Sequence, residues 1–378
     1  MTDKDNHPTG PQIETSETSK DDSKIYGVQS NVGVKAKGKT KKRIKWIFLG
    51  LGLIVILGAA AIVLPLTLGK ASKDAIIRVP KNATIETVHD SIAKYLGKDY
   101  AAKVEQSLKI FGFEERNRHG AYKIEKGMNA LTAGRRLSRG GQTEMTLVIT
   151  GVRTKNDLAN LISSNFDITE EEMLNALNDR DFLDSLNTDP DKVIGFFLNN
   201  SYNFYWNVAP KDIIVKIRKE YRRFWNNERQ SKAEALRMSP RTITILASIV
   251  DEETNDESEK GKVGRLYINR LNRDMKLESD PTVRYALNDF TRNRILNEDT
   301  KIESPYNTYR VKGLPPGPIR TADPRTIDAI LNSEPSDYIF MCADSALNGR
   351  HKFSSDYSAH LKYAAEYREA LDKKGIKR

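Results

Sequence analysis

Residues Trp46–Leu68 read WIFLGLGLIVILGAAAIVLPLTL, and this stretch decides how the chain is organised. It contains no charged side chain and is dominated by Leu, Ile, Val, Ala and Gly. At about 1.5 Å per residue, a helix of this length crosses a hydrocarbon layer about 30 Å thick. We therefore predict one transmembrane helix over residues 46–69. A cleaved signal peptide is the alternative, although the stretch is long for one and begins far from the N-terminus.

A dense basic run lies directly before this stretch. Its seven cations are Lys35, Lys37, Lys39, Lys41, Lys42, Arg43 and Lys45. Only Lys70 and Lys73 follow the stretch closely, so the positive-inside rule places the N-terminus in the cytoplasm. In isolation the run would suit a nucleic-acid-binding arm, but its position favours a membrane and we predict no nucleic-acid partner. Residues 1–45 are otherwise polar and are predicted to be a disordered cytoplasmic tail.

The bulk composition is that of a folded globular protein with polar ends. The 378 residues are 30% charged and 38% hydrophobic, with a net charge of +10. Cys342 is the single cysteine, which excludes an intrachain disulfide. The sequence carries no zinc-ligand spacing, Walker loop or dinucleotide fingerprint, so we predict neither a metal nor a cofactor.

Residues 75–150 alternate between short strands and helices. Ala75–Val79 is predicted to be a strand, and Thr84 is predicted to cap a helix that ends near Tyr95. Further helices at 100–111 and 129–138 and strands at 119–124 and 144–149 complete the pattern. It suits a small carbohydrate- or wall-binding module, and equally a plain spacer domain. Residues 151–239 follow as a helical linking part, in which Pro210 opens an amphipathic helix.

The residues with catalytic potential begin at Ser239-Pro240, a cap followed by Pro at the first helical position. The helix that follows is apolar around most of its circumference and ends in Asp251-Glu252-Glu253. Helical spacing places Glu253 on the apolar stripe, where poor solvation of the charged form should raise its pKa. A raised pKa is what a general acid needs at neutral pH. The alternative is a helix-end acid that faces solvent or pairs with Lys260 or Arg265.

Downstream segments offer several polar and aromatic groups. Ser279-Asp280-Pro281-Thr282 predicts another helix start with Asp280 as a cap, which accounts for that residue without chemistry. The segment 304–318 is a loop rich in Tyr, Asn, Pro and Gly that suits either a sugar site or a rigid connection. Asn348-Gly349 predicts a two-residue hairpin turn. His351 lies on the returning strand, where it could contact a sugar or serve as an ordinary strand histidine.

Five motifs, taken in order and spacing, resemble the endolytic murein transglycosylase family (MltG or YceG-like). They lie within about residues 240–360 and read ASIVDEET (247–254), YINRL (267–271), SDPT (279–282), YNTY (306–309) and GLPPG (313–317). The resemblance implies an α+β fold with a single N-terminal transmembrane helix, a LysM-like α/β module at 75–150 and a mixed α+β catalytic core at 240–378. It places the chain in the bacterial cytoplasmic membrane with the catalytic part outside.

The resemblance also implies an activity and a site. The activity is cleavage of the β-1,4 bond between N-acetylmuramic acid and N-acetylglucosamine within glycan strands, which leaves 1,6-anhydromuramoyl ends. Glu253 matches the family's catalytic acid, which first protonates the glycosidic oxygen and then accepts the C6 hydroxyl proton. The implied partners are peptidoglycan strands and the synthases of elongation or division. The substrate-binding set is Asn269, Asp280, Tyr306, Asn307, Tyr309, Pro316 and His351, with Asn269 and Asp280 as braces.

Three departures from the family's pattern are present. Asp251-Glu252 stands where Glu-Lys is common, Glu278 where Gln is usual, and Asn199–Tyr202 where Pro-Asp-Thr-Tyr is common. Two other hypotheses compete with the lytic transglycosylase. One is a wall-binding scaffold with a degenerate catalytic domain. The other is a glycoside hydrolase, which needs a second carboxylate such as Asp280 within about 5–10 Å of Glu253.

Overall fold

The computed structural model describes residues 37–113, 118–292 and 294–375, and the chain divides into two units after Ala61. Helix α1 spans Lys37–Leu68 and contains the predicted apolar stretch. Within the described ranges, Lys42–Leu68 is the one helix long and apolar enough to cross a membrane, with a mean hydropathy of 2.9. Its side chains are exposed up to Pro65, as for Trp46 at 72%, whereas Leu66 is buried.

The start of α1 differs from the sequence-based prediction. Residues 37–45 were expected to belong to the disordered tail, but they form the first turns of the helix. Lys and Arg have high helix propensity, and no Pro interrupts α1 before Pro65. The remainder of the predicted tail, residues 1–36, lies outside the described residues.

The first globular part has a core of its own. Strand β1 (Ala75–Val79) pairs antiparallel with β2 (Gly120–Ile124), and helices α2 (Ile85–Leu96) and α3 (Lys98–Ile110) connect them. Helix α4 (Ala130–Arg139) packs on α3. Thr84 caps α2 as predicted, since its hydroxyl accepts a hydrogen bond from the Thr87 amide. This apolar core contains residues from Ala71 to Leu137.

The next strand belongs to a different core. Strand β3 (Glu144–Ile149) pairs antiparallel with β4 (Asn200–Tyr205). Its buried Leu147 and Ile149 pack with helices α5 (Lys155–Ser163), α6 (Glu170–Asn178), α7 (Arg180–Ser185) and α8 (Pro210–Phe224). Strand β3, which lies within the predicted 75–150 module, thus pairs and packs with residues beyond it. The partner of β3 lies about 50 residues downstream, where local pattern could not identify it.

The third core surrounds helix α10 (Pro240–Glu253), which is buried from Ile243 to Asp251. Its neighbours are α9 (Asn227–Ala235), α11 (Lys260–Asn272), α12 (Asp280–Leu287) and α13 (Pro324–Leu331). The chain ends in the antiparallel pair β5 (Phe340–Ala343) and β6 (His351–Ser354), followed by α14 (Tyr357–Lys373). The α+β class predicted from the sequence is confirmed.

The turn between β5 and β6 corrects a prediction. Asn348-Gly349 was expected to form a two-residue turn, but residues 344–350 all lie outside the ladder that ends at Ala343 and His351. The Asp344 amide donates to the Arg350 carbonyl at 2.8 Å and closes this longer loop. Both Leu347 and Gly349 adopt positive φ within it.

Candidate active site

Glu253 is the last residue of α10, and its side chain is half-buried at the end of the apolar helix. The Ser279 hydroxyl donates a hydrogen bond to its Oε2 at 3.2 Å, and the buried Tyr267 hydroxyl also hydrogen-bonds to this carboxyl group. Burial raises the pKa of Glu253 to about 7, with a further increase from the nearby Asp280 charge. The hydrogen bonds and His351 act in the opposite direction but do not cancel the effect of burial.

The two preceding acids have quite different surroundings. Asp251 accepts hydrogen bonds from the Lys260 ammonium at 3.0 Å and the Asp323 amide at 2.8 Å, which ties α10 to α13. Glu252 is held by both Arg153, in a bidentate pair, and Arg320 at 2.8 Å. Each of these carboxylates therefore has its own cation. In the described residues, Glu253 is the acid of this run that lines the adjoining cavity.

The cavity beside Glu253 has a volume of about 410 Å³. Its walls come from α11, α12, the two strands β5 and β6, and α14. The lining residues are Glu253, Leu266, Tyr267, Arg270, Leu277, Glu278, Asp280, Tyr309, Phe340, Met341, Cys342, Ala343, His351, Tyr357 and His360. Three residues proposed from the sequence for substrate contact, Asp280, Tyr309 and His351, thus share one cavity with Glu253.

Asp280 has a different local role from the predicted one. Ser279, not Asp280, is the N-cap of α12, and Asp280 is the first helical residue. The Ser279 side chain makes no capping bond because its hydroxyl faces Glu253. Asp280 instead accepts a hydrogen bond from the Tyr309 hydroxyl at 2.7 Å, and this bond together with burial raises the pKa of Tyr309. The pair connects α12 to the 306–309 turn.

His351 is anchored by a buried acid. The Glu259 side chain, 6% exposed, accepts hydrogen bonds from both the backbone amide and the ring Nδ1 of His351, at 2.9 and 3.0 Å. Glu259 precedes α11, so this contact fixes β6 against the helix that carries Tyr267. His351 lowers the pKa of Glu253 and so favours its ionised form.

Two residues of the predicted substrate-binding set, Asn307 and Asn269, make their hydrogen bonds within the protein. Asn307 is fully buried, and its amide nitrogen donates to the carbonyls of Thr300 and Ile302 while its oxygen accepts from the Tyr309 amide. Its polar atoms are therefore used inside the loop, and none faces the cavity. The Asn269 amide donates to the carbonyls of Ser336 and Tyr338, and this side chain does not line the cavity either.

Tyr306 and Pro316 also lie away from Glu253. Tyr306 packs against Tyr285 with ring centroids 4.7 Å apart and lines a second, separate cleft. Pro316 is half-buried in the turn that follows Gly313, which has positive φ, and it is not among the residues that line the Glu253 cavity. The family resemblance grouped these residues with Glu253, but their side chains lie outside the residues that line the Glu253 cavity.

Residues 77–366 match the YceG-like family. The chain belongs to this family. A relative from Bacillus subtilis (strain 168), named endolytic murein transglycosylase, is 25% identical over 328 residues, which cover 81% of this chain and 88% of the relative. A protein of the same name from Streptococcus pneumoniae (strain D39) is 32% identical over 129 residues, which are 33% of this chain and 23% of that protein. The resemblance to the family that the sequence motifs indicated is confirmed.

A solved structure supports the same fold. It is the 2.6 Å crystal structure of a YceG-like protein from Listeria monocytogenes, with a TM-score of 0.51. The match covers 77% of this chain and 99% of that one at 23% identity, so it supports the fold alone.

The departures from the YceG-like pattern now have structural explanations. Asp251 and Glu252 carry cationic partners outside the cavity, so they do not crowd Glu253. Glu278 lies at the cavity wall, where its Oε2 accepts from Arg270 at 3.1 Å. The Asn199 side chain accepts from the Gly151 amide and the Thr321 hydroxyl, which joins β4 to the loop before α13.

Sequence analysis missed four residues that shape this YceG-like site. Ser279 was assigned only to a helix start and a family motif, Tyr267 and Arg270 only to a family motif, and Glu259 was assigned no role. Arg270 is 8% exposed and donates to the carbonyls of Ile339 and Leu277 at 2.7 and 2.9 Å, which supports two cavity walls. The one local signal was Tyr267, a polar tip on an otherwise apolar face.

Proposed function

We propose that this chain is a membrane-anchored endolytic lytic transglycosylase. It cleaves the β-1,4 bond between N-acetylmuramic acid and N-acetylglucosamine in peptidoglycan strands and leaves 1,6-anhydromuramoyl ends. Both named relatives are endolytic murein transglycosylases, which supports the reaction class. The observation that carries the proposal is Glu253, whose pKa of about 7 keeps much of it protonated near neutral pH beside a cavity of about 410 Å³.

A single carboxyl group suffices for this reaction. Glu253 first donates its proton to the glycosidic oxygen as the bond from C1 of N-acetylmuramic acid to that oxygen breaks. The C6 hydroxyl oxygen of the same sugar then bonds to C1 and closes the anhydro ring, and its proton passes to the Glu253 carboxylate. The acid is regenerated and no water is consumed. A pKa near the working pH suits a group that must donate and accept a proton in one cycle.

The neighbouring groups hold this acid in position. Ser279 and Tyr267 donate hydrogen bonds to the carboxyl group and stabilise its ionised form once the proton has left. His351, held by Glu259, lines the same cavity and favours the ionised form of Glu253. Tyr309 and Asp280 also line this cavity and offer oxygen atoms for sugar hydroxyls. Asn269 and Asn307 are braces in this proposal.

The remaining parts of the chain fit this function. Lys42–Leu68 anchors the chain in the cytoplasmic membrane, with the basic residues before it on the cytoplasmic side and the active site outside. The β1–α2–α3–β2 part is a LysM-like module that binds glycan next to the membrane. Strands emerging from membrane-bound synthases of elongation or division would meet Glu253 there.

Digestion of purified peptidoglycan tests the proposal. The full-length chain in detergent should release fragments with anhydro ends, and Glu253→Gln should abolish them. Glu257→Gln is a matched control, because Glu257 is an exposed acid that pairs with Lys260 and does not line the cavity. Intact strands that still bind the chain would instead indicate a scaffold and refute the enzymatic proposal.

The same digestion distinguishes a hydrolase. Asp280 lines the cavity with Glu253, which is the arrangement that a second catalytic carboxylate would need. Its Oδ1 is occupied by the Tyr309 hydroxyl at 2.7 Å, which favours a positioning role. Products with free reducing ends that vanish in Asp280→Asn would support the hydrolase and overturn the transglycosylase.

A further inference from the structure

A second cleft, on the other side of α12, has the composition of a sugar-binding surface. Its volume is about 450 Å³. The aromatic members are Tyr285, Tyr306 and Phe290, with Tyr285 centroids 4.7 Å from Tyr306 and 6.3 Å from Phe290. The Tyr285 and Tyr306 side chains are also hydrogen-bonded to each other. We call these three rings and their surroundings the aromatic cleft.

Polar groups surround the aromatic rings. Asn156, Asp157 and Asp191 face the rings from α5 and the segment before Ile194, and Lys155 contributes a half-buried cation. One cation against two carboxylates gives no positive field for a phosphate or other polyanion. Flat apolar faces beside amide and carboxylate oxygens instead suit a neutral ligand with one apolar face and hydroxyl groups at its edge. A pyranose ring has this form.

The aromatic cleft is built on the same elements as the Glu253 cavity. Helix α12 carries Asp280 at its start, in the cavity, and Tyr285 further along, in the cleft. Five residues of helix separate them by about 7–8 Å along the axis. The 306–309 turn repeats the arrangement, since Tyr309 lines the cavity and Tyr306 the cleft. A polymer bound at one place can therefore extend to the other.

The wall of the cleft is fixed by the residue next to the proposed acid. Arg153 donates two hydrogen bonds to the Glu252 carboxylate, at 3.0 and 3.1 Å. Its guanidinium lies 5.0 Å from the Phe290 ring centroid. Glu252 directly precedes Glu253 in α10. The cleft is thus held at a set distance from the catalytic cavity, as a subsite needs to be.

We propose that the aromatic cleft is a distal subsite for a glycan strand whose other part lies in the Glu253 cavity. This inference rests on the proposed function and adds a basis for strand-length preference. A strand long enough to occupy both places gains the stacking contacts, whereas a short fragment occupies the Glu253 cavity alone. The chain should consequently bind and cut long strands better than short ones, which is what cleavage within a strand requires.

Strand binding to the full-length Glu253→Gln chain in detergent tests this proposal, with peptide-free glycan strands and a purified disaccharide as probes. Tyr285→Ala and Phe290→Ala should each weaken long-strand binding about five- to tenfold and leave disaccharide binding unchanged. Tyr285→Phe keeps the ring and should bind within about twofold of its parent. Tyr205→Ala is the matched control, because Tyr205 is 49% exposed and lies on β4.

Each result is decisive. Phe290 packs in none of the apolar cores of the described residues, so Phe290→Ala keeps the test valid if Tyr285→Ala fails to fold. Long-strand affinity that is equal in Phe290→Ala and its parent overturns the subsite, and so does an equal loss of disaccharide binding. Cleavage by the unsubstituted chain is measured separately. If the unsubstituted chain releases no anhydro ends but long-strand binding still depends on the aromatic rings, the enzymatic proposal is refuted and the subsite is retained.

Discussion

Replacing Glu253 with Gln should stabilise the folded chain at alkaline pH, even though it removes the proposed acid. In the folded chain, burial raises the pKa of Glu253 from 4.5 to about 7. In the unfolded chain the same carboxyl group is solvated and ionises at its ordinary value. The unfolded chain therefore loses this proton at lower pH, and rising pH favours unfolding. The favourable contribution of the protonated acid is complete below about pH 4.5 and is lost as the pH rises through 7.

The size of the effect follows from the two pKa values. Their difference is about 2.5 units, and each unit corresponds to about 1.4 kcal/mol, which gives about 3 kcal/mol at pH 8 and above. Gln has nearly the same shape and no charge, so it avoids this cost. Its side-chain oxygen can still accept the Ser279 hydrogen bond. The substitution should thus change stability little at pH 4 and substantially at pH 8.

Thermal unfolding of the full-length chain in detergent measures this difference. The Glu253→Gln midpoint should match that of the parent at pH 4 and exceed it by about 5 °C or more at pH 8. Glu252→Gln provides the contrast, because it weakens the contacts with Arg153 and Arg320 and should lower the midpoint at neutral pH. The difference in unfolding midpoint between Glu253→Gln and the parent should depend on pH. If it does not, the Glu253 carboxyl does not have a raised pKa in the folded chain.

Three further substitutions should move the pH dependence of cleavage in stated directions. Ser279→Ala removes a donor to the Glu253 carboxylate, so the pKa read from the alkaline limb of kcat should rise by about half a unit. Glu259→Gln weakens the contact that holds the His351 ring, and His351 lowers the pKa of Glu253, so that limb should shift upward as well; a limb that moves down would contradict this role of Glu259. Asp280→Asn removes a repelling charge and should lower the limb, while an unchanged pH profile would show that Asp280 does not influence Glu253.

Elements that depend on neighbouring residues were predictable from the sequence. Ser239-Pro240 begins α10 as expected, and the Ser239 hydroxyl accepts from the Thr242 amide at 3.1 Å. The β1 strand and the Thr84 cap follow from equally short patterns. For the two caps the deciding hydrogen bond spans three residues, so the chain's local chemistry contains it.

Pairings that depend on distant residues were not predictable in this way. The partner of Glu259 is His351, 92 residues away, and the partner of Asp280 is Tyr309, 29 residues away. Asn307 illustrates a different limit, in which the local pattern predicted a substrate contact. An amide in a loop of tyrosines suits a sugar, yet here its hydrogen-bonding capacity is consumed by loop carbonyls that only the folded backbone brings near.

The consecutive acids at the end of α10 show where sequence reasoning reaches and where it stops. Successive helical residues point about 100° apart, so the sequence alone establishes that Asp251, Glu252 and Glu253 face different surroundings. It also places Glu253 on the apolar stripe. The tertiary structure then supplies a lysine for the first acid and two arginines for the second. For the third it supplies a hydroxyl and a cavity. Proton transfer needs an acid that is not paired with a lysine or arginine, and among these three acids of the described residues Glu253 is the one without such a partner.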